Sequence, residues 1–178
     1  MKFYTGDYKG FYREEGNARF VLRTIGDRPL VCFGINPATA NKKESDQTVR
    51  KVMGFAERKG YDGIIMLNLY PLRSTDMNGE NGLPWKEDDS LIQKNAEYIK
   101  EAFEKLSAEI GEITIWAGWG VLYEERPYFR KCLRKIAEAV SKFNCQWKAA
   151  GFTKAGHPRH PLYLSFNAKL SDFDIEDI

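Results

Sequence analysis

Cysteine is scarce in this chain of 178 residues, which has only Cys32, Cys132 and Cys145. No two of them form a CxxC pair, so neither a disulfide framework nor a structural zinc site organises the fold. An excess of charge of one sign is missing too. Twenty-seven basic side chains against 25 acidic ones leave a formal charge of +2, too balanced for composition alone to announce a nucleic-acid binder. Basic residues are denser at Lys42-Lys43 and between Arg126 and Lys154, and most runs of that kind are solvated helix faces. No stretch reaches the roughly 18 consecutive apolar residues of a membrane span, and the first residues lack the apolar core of a signal peptide. The expectation is a soluble, cytoplasmic protein with no membrane partner. The P-loop, GxGxxG and GxSxG patterns are absent as well, which removes the familiar phosphate-cradling and serine-hydrolase routes.

What is present is enough apolar material, 43% of the chain, for one well-buried domain. The stretch Val31-Cys32-Phe33-Gly34-Ile35-Asn36-Pro37 carries the most information. It opens as an apolar, β-rich run and breaks at Gly34 and Pro37, the way a buried strand delivers a polar residue to the carboxyl edge of a parallel sheet. Thr39 follows the break, and Asp46-Gln47-Thr48-Val49-Arg50 reads as a helix start with Asp46 as N-cap. From there to Lys59, Val49, Val52, Met53 and Ala56 keep a helical spacing, and Gly60 suits the C-cap.

A second apolar run, residues 62–68, ends at once in Asn68-Leu69-Tyr70-Pro71-Leu72-Arg73-Ser74-Thr75-Asp76. Two buried strands that each end in hydrogen-bonding groups should converge on one cleft. Residues 77–87 are rich in Gly, Asn and Pro and read as a mobile loop flanking it. Asp88 or Asp89 caps a helix running to about Ala108. Residues 112–120 give a third strand, broken by Gly118 and Gly120. Tyr128 to Phe143 is a basic amphipathic helix, and residues 146–151 form a short fourth strand. Upstream, Phe3, Tyr4, Tyr8, Phe11 and Tyr12 precede a turn at Glu14-Glu15-Gly16-Asn17, which places an antiparallel pair beside the main sheet. The acidic tail, residues 171–178, is expected to fray.

Each motif has a bland reading beside the functional one. Asn36 can simply bond its own turn. The cluster from Asn68 to Asp76 can be a capped loop, although so many polar groups in nine residues argue for more. Trp116 suits the core, whereas Trp119 between two glycines can stack on a planar ligand. The chain's two histidines lie in His157-Pro158-Arg159-His160-Pro161. The prolines stiffen the backbone around two imidazoles and a guanidinium, which lowers the entropic cost of presenting them. Neutral histidine can hydrogen-bond a carbonyl or stabilise a developing anion. Metal ligation is the weaker reading, because the prolines argue against a helix that would align the pair.

Together, Gly34 to Ala40, Asp46 to Arg50, Asn68 to Asp76, Trp116-Ala117-Gly118-Trp119-Gly120 and Gly156 to Leu162 resemble a bacterial and phage family of unknown function, DUF1643. A more distant likeness is to uracil-DNA glycosylase-like enzymes. These carry a Gly-x-(Asp/Asn)-Pro motif after the first central strand, an apolar strand ending in Asn, a strand ending near Trp-Gly, and a late His-Pro-x-Pro-Leu loop. The order here is the same, with one extra residue in the late loop. Gly34-Ile35-Asn36-Pro37 is similar to the mismatch-specific branch, in which Asn holds the catalytic position.

Alternating strands and helices already read as a three-layer α/β/α sandwich with a short, mainly parallel sheet of about four strands and the N-terminal hairpin beside it, all in one domain, and the resemblance implies the same glycosylase-like fold. It implies cleavage of an N-glycosidic bond. Asn36 would position water, Asn68 would bond the base edge, and His157 or His160 would stabilise the departing base. Gly34, Pro37, Thr39, Asp46, Arg73, Ser74, Thr75, Asp76, Trp119 and Arg159 are the further candidates for contacting substrate. A nucleotide or nucleic acid is the expected partner, and no cofactor or metal is called for. A non-catalytic nucleotide-binding module using the same cleft is the alternative.

Overall fold

Alternation along the central strands sorts their side chains onto two faces. In the computed structural model, which describes residues 7–175, Val31 and Phe33 of strand β3 (Pro29–Gly34) join one core and Leu30 and Cys32 the other. Ile65 and Leu67 of β4 (Gly63–Asn68) face the first, Ile64 and Met66 the second. Strands buried on both faces read as continuous apolar runs, and parallel sheets need cover on both sides. Helix α1 (Gln47–Arg58) covers one face with Val49, Val52, Met53, Phe55 and Ala56. Helices α2 (Asp89–Ile110) and α3 (Tyr128–Val140) cover the other through Ile92, Ile99, Phe103, Phe129, Leu133 and Ile136. The result is a mixed α/β protein in three layers. No described helix is long and apolar enough to cross a membrane.

The sheet is larger than the expected four strands. Its seven described strands run in the order β1-β2-β4-β3-β5-β6-β7, with β1 Arg13–Glu15, β2 Ala18–Arg23, β5 Ile113–Ala117, β6 Cys145–Ala149 and β7 Ser171–Asp172. Four of them, β4, β3, β5 and β6, are mutually parallel. The N-terminal hairpin does not lie beside this sheet; it joins it, β2 pairing antiparallel with β4 through Leu22 opposite Met66 and Arg23 opposite Ile65. The start of the acidic tail does the same on the far side, β7 pairing with β6 while Lys148 meets Asp172 at 2.6 Å. The physical reason is common to both ends. The outer parallel strands would otherwise present unpaired N–H and C=O groups, and an added antiparallel strand satisfies them. Phe3 and Tyr4, and the last three residues of the tail, lie outside the described residues.

The order β4-β3-β5-β6 places a topological switch between β3 and β5. The chain leaves β3 toward one neighbour and later returns to the other side of it. In open α/β sheets, ligands bind outside the carboxyl ends of the strands at such a point.

Candidate functional site

Pairing between the central strands continues past their ends. Gly34 lies opposite Asn68, and beyond them the N–H of Leu69 donates to the Gly34 carbonyl, that of Tyr70 to Ile35 and that of Ser74 to Pro37. The segments after β3 and β4 are therefore stitched side by side, and the two polar strand ends converge as their sequences suggested. On the other side the N–H of Gly118 donates to the Phe33 carbonyl, and that of Gly120 to Pro158. The second bond docks the histidine loop onto the end of β5. Close approach there requires glycine. A Cβ at Gly118 would lie 3.1 Å from Pro161 Cδ, and one at Gly120, where φ is +72°, would lie 3.0 Å from His160 Cβ.

These segments border a small hole of about 70 Å³ with polar and apolar groups in its walls. Gly34, Asn36, Pro37, Asp46, Asn68, Trp119 and His160 all border it, so seven of the residues singled out in the sequence meet at one place. Trp119, Leu122 and His160 also border a wider, mostly apolar cleft of about 410 Å³ that runs on past Val121, Leu162 and Tyr163, with Lys154 and Arg159 along it. An apolar cleft joined to a hole with a few convergent polar groups is the common form of a small-molecule site.

Asn36 is held tightly. Its Nδ2 donates to the carbonyls of Pro37 (3.0 Å), Leu72 (3.3 Å) and Ser74 (2.9 Å). The amide hydrogens are thereby saturated, and Oδ1 is left without a protein partner among the described residues. The Asn68 amide, oriented as its hydrogen bonds require, donates to the carbonyls of Asn36 (3.3 Å) and Leu67 (3.2 Å) and accepts from Arg19 Nη2 (3.3 Å). Asn68 is thus mostly occupied with the protein itself. Asp46 caps α1, accepting from Val49 N at 2.9 Å, while its other oxygen accepts from Ala40 N at 3.2 Å.

The two histidines separate. His160 borders the hole, and its Nδ1 accepts from the Leu162 N–H at 3.3 Å, which leaves the proton on Nε2. Burial lowers its pKa from the ordinary 6.5, with the Asp46 charge pulling weakly the other way. His157 is turned into the protein. It pairs through Nε2 with Glu124 at 3.0 Å, packs on Tyr123 and borders neither cavity.

Other candidates are enclosed by the protein or placed elsewhere. Trp119 is fully buried, with Tyr123, Trp147 and Phe173 around its ring. Arg73 donates to the Ala38 and Ala40 carbonyls and pairs with Glu14 at 2.9 Å. Together with Ser74 and Thr75 it lines a separate polar groove of about 360 Å³. Ser74 Oγ donates to the Asp76 carbonyl at 2.7 Å, and Asp76 Oδ1 accepts from Asn78 N–H. Thr39 and Asp76 are exposed and border none of these cavities. Arg159 Nε donates to the Phe152 carbonyl at 3.0 Å. Cys32 lies on β3 beneath the site, and burial alone raises its thiol pKa far above the usual range, so it offers no thiolate. No cluster of metal-ligating side chains occurs among the described residues.

One residue of the hole has no motif to announce it. Arg19 of β2 borders it while being only 2% exposed. The available signal is two arginines, Arg19 and Arg23, inside an otherwise apolar strand.

A three-layer α/β protein with its candidate site at the switch point of a parallel sheet is the class that fold and geometry define. Within it, residues 19–162 match the family model described as a protein of unknown function, DUF1643, and the chain belongs to that family. No curated protein and no solved structure matches it.

Proposed function

We propose that this protein is a hydrolase that cleaves the N-glycosidic bond of a nucleobase-containing substrate, on a uracil-DNA glycosylase-like fold. The carrying observation is the state of Asn36: three carbonyls hold its Nδ2, so Oδ1 is a fixed, unpartnered acceptor at the rim of the hole. An acceptor of that kind orients a water without needing to deprotonate it. His160 supports the same reading. A neutral imidazole that accepts at Nδ1 donates from Nε2, and a fixed donor stabilises negative charge developing on a leaving group.

In the proposed reaction the bond between the sugar carbon and the base nitrogen breaks, and its electron pair stays with the base. The sugar carbon takes on oxocarbenium character. The water on Asn36 attacks that carbon, and its proton ends on the base nitrogen, giving the free base and the sugar hemiacetal. The polar groups of the hole take the hydrogen-bonding edge of the base, and the apolar cleft takes the body of the substrate. For a duplex the base must first be flipped out.

The test is a base-release assay on single- and double-stranded DNA carrying uracil, hypoxanthine or mismatched bases, and on free nucleosides. Release is expected from at least one of these, falling on the order of a hundredfold in Asn36→Ala and in His160→Ala. Absence of release from every substrate sinks the reading. A second reading is favoured by the Asn68 amide, whose bonds are largely taken up inside the protein: a non-catalytic module that holds a nucleotide in the same cleft. It predicts retention of ligand without turnover, and weakened retention in the same two variants.

A further inference from the structure

Three arginines are buried almost completely, and their compensation differs. Arg23 meets the Glu109 carboxylate at 2.8 Å and lies over the Phe11 ring at 4.4 Å, so its charge has a counter-ion although its Nε and Nη1 are buried without partners. Arg126 donates to the carbonyls of Met77, Leu83, Pro84 and Glu125. Arg19 has neither a carboxylate nor such a set of carbonyls. Its Nη1 donates to the Ala40 carbonyl at 2.9 Å and its Nη2 to Asn68 Oδ1 at 3.3 Å, while its Nε is buried with no partner.

The electrostatics around Arg19 sharpen the contrast. Burial first and the neighbouring Arg73 charge second lower its pKa to about 10, against weaker opposing effects of Asp46, Tyr12 and Glu14. It therefore remains a full cation at neutral pH, in a medium where its field is little screened. Glu14 already pairs with Arg73, and both Asp46 oxygens accept backbone N–H groups. Trp119, another wall of the same hole, has a buried indole Nε1 that also lacks a partner. A buried cation and an orphaned donor are costly to maintain without a counterpart. Both side chains border the hole, where a ligand group can supply a counterpart to the charge.

We propose that Arg19 is a further catalytic residue of this site, stabilising the negative charge that develops on the departing base. It does so directly from the floor of the hole and by fixing the Asn68 amide above it. This inference rests on the glycosidic-bond reading, so its test has one arm that needs no turnover.

The first arm measures equilibrium binding of a free halogenated uracil, whose ring N–H ionises near neutral pH, to the full chain. In the wild type, affinity should rise as pH is raised through the base's own pKa, at least tenfold between its neutral and ionised forms. In Arg19→Gln that rise should vanish, and in Arg19→Lys, which keeps the charge without the planar fork, part of it should return. Arg19→Met provides the folding control, because an apolar side chain replaces a buried ion without leaving a charge unpaired. The second arm measures base release across substrates graded in leaving-group acidity. Loss of Arg19 should cost on the order of a hundredfold and make the rate depend more steeply on that acidity. A merely structural role would lower every rate alike.

If the wild type releases base but Arg19→Gln leaves the acidity dependence and the pH-dependent affinity unchanged, the inference is overturned and the glycosylase reading stands. If no substrate is cleaved yet the ionised base binds tighter only when Arg19 is present, the reaction is wrong and Arg19 remains the anion-binding group. If inorganic phosphate displaces the base and ionisation of the base makes no difference, the charge serves a phosphate and the inference is overturned.

Discussion

At the scale of single residues, two histidines three positions apart have opposite environments because of partners far away in sequence. Glu124 takes the His157 ring, while His160 is left at the junction of hole and cleft with its Nδ1 on a backbone N–H. Its titration gives a prediction whose sign is fixed by burial. The native pKa lies below the ordinary 6.5, so the imidazole stays neutral where a free histidine is already half protonated. If the neutral ring is the required donor, the acid limb of base release should have its midpoint below 6.5. The limb should disappear in His160→Ala and keep its midpoint in Asn36→Ala, whatever rate remains. Stability carries the same sign. The unfolded imidazole binds its proton more readily than the folded one, so His160 makes no unfavourable contribution above the unfolded pKa. Destabilisation grows as pH falls from there toward the folded pKa. Denaturant midpoints between about pH 5 and 7.5 should therefore fall less steeply toward acid in His160→Ala than in the wild type. An acid limb above 6.5 would remove His160 from the proposed role.

At the scale of elements, helix α1 couples a cap to the site. Asp46 accepts from Val49 N at the first turn and from Ala40 N in the loop that follows Asn36. Asp46→Ala should cost about 1–2 kcal/mol, the usual worth of an N-cap, whereas Asp46→Asn, which keeps one acceptor for Val49 N–H but sets an amide NH2 against Ala40 N–H, should lose only part of that. Urea midpoints measure both, and equal losses in the two variants would show that the carboxylate charge matters more than the cap. This helix is legible in the sequence because its signals are local: an N-cap, an apolar spacing and a terminal glycine within fifteen residues. The central strands are legible for the same reason, as unbroken apolar runs. What stays hidden is non-local. Nothing within residues 13–23 tells that their strands extend the sheet at β4 and do not lie beside it, since that depends on an edge supplied 40 residues later. Arg19 and Arg23 draw no notice in the sequence because a guanidinium in a strand ordinarily marks the solvent face, and here both are buried. The site is half visible: its strand ends can be read, but the charge beneath them cannot.

At the scale of the whole molecule, the loop expected to be mobile, residues 77–87, is tied to the body by several side chains, Tyr128 and Ser74 among them, with Arg126 making the largest share of the bonds. Arg126 donates to the carbonyls of Met77 (2.8 Å), Leu83 (2.9 Å) and Pro84 (3.3 Å). On the surface, Trp85 lies over its guanidinium at 3.9 Å. The fork thus adds to the few bonds that the loop makes for itself, from Gly82 N–H to the Gly79 carbonyl and from Leu83 N–H to the Met77 carbonyl. Removing it leaves the Leu83 carbonyl unpaired, at roughly 1–3 kcal/mol, and weakens the hold on the Met77 and Pro84 carbonyls, which keep the Leu83 N–H and the Tyr128 hydroxyl as donors. Arg126→Met should therefore lose on the order of 3 kcal/mol of stability. Arg126→Lys should recover only part of that, because an ammonium cannot span the same fork. The loss should also be felt at the site. Ser74 Oγ donates to the Asn81 carbonyl in the tied loop, at 3.3 Å, and the Ser74 carbonyl is one of the three that hold Asn36. Releasing the loop should accelerate proteolytic cleavage within residues 77–87 and loosen Asn36, weakening ligand binding several-fold at a temperature where the variant is still folded. Limited proteolysis and ligand titration on the same sample check both effects. Faster cleavage with unchanged affinity would show that Asn36 is held by its own strand end and owes nothing to the loop.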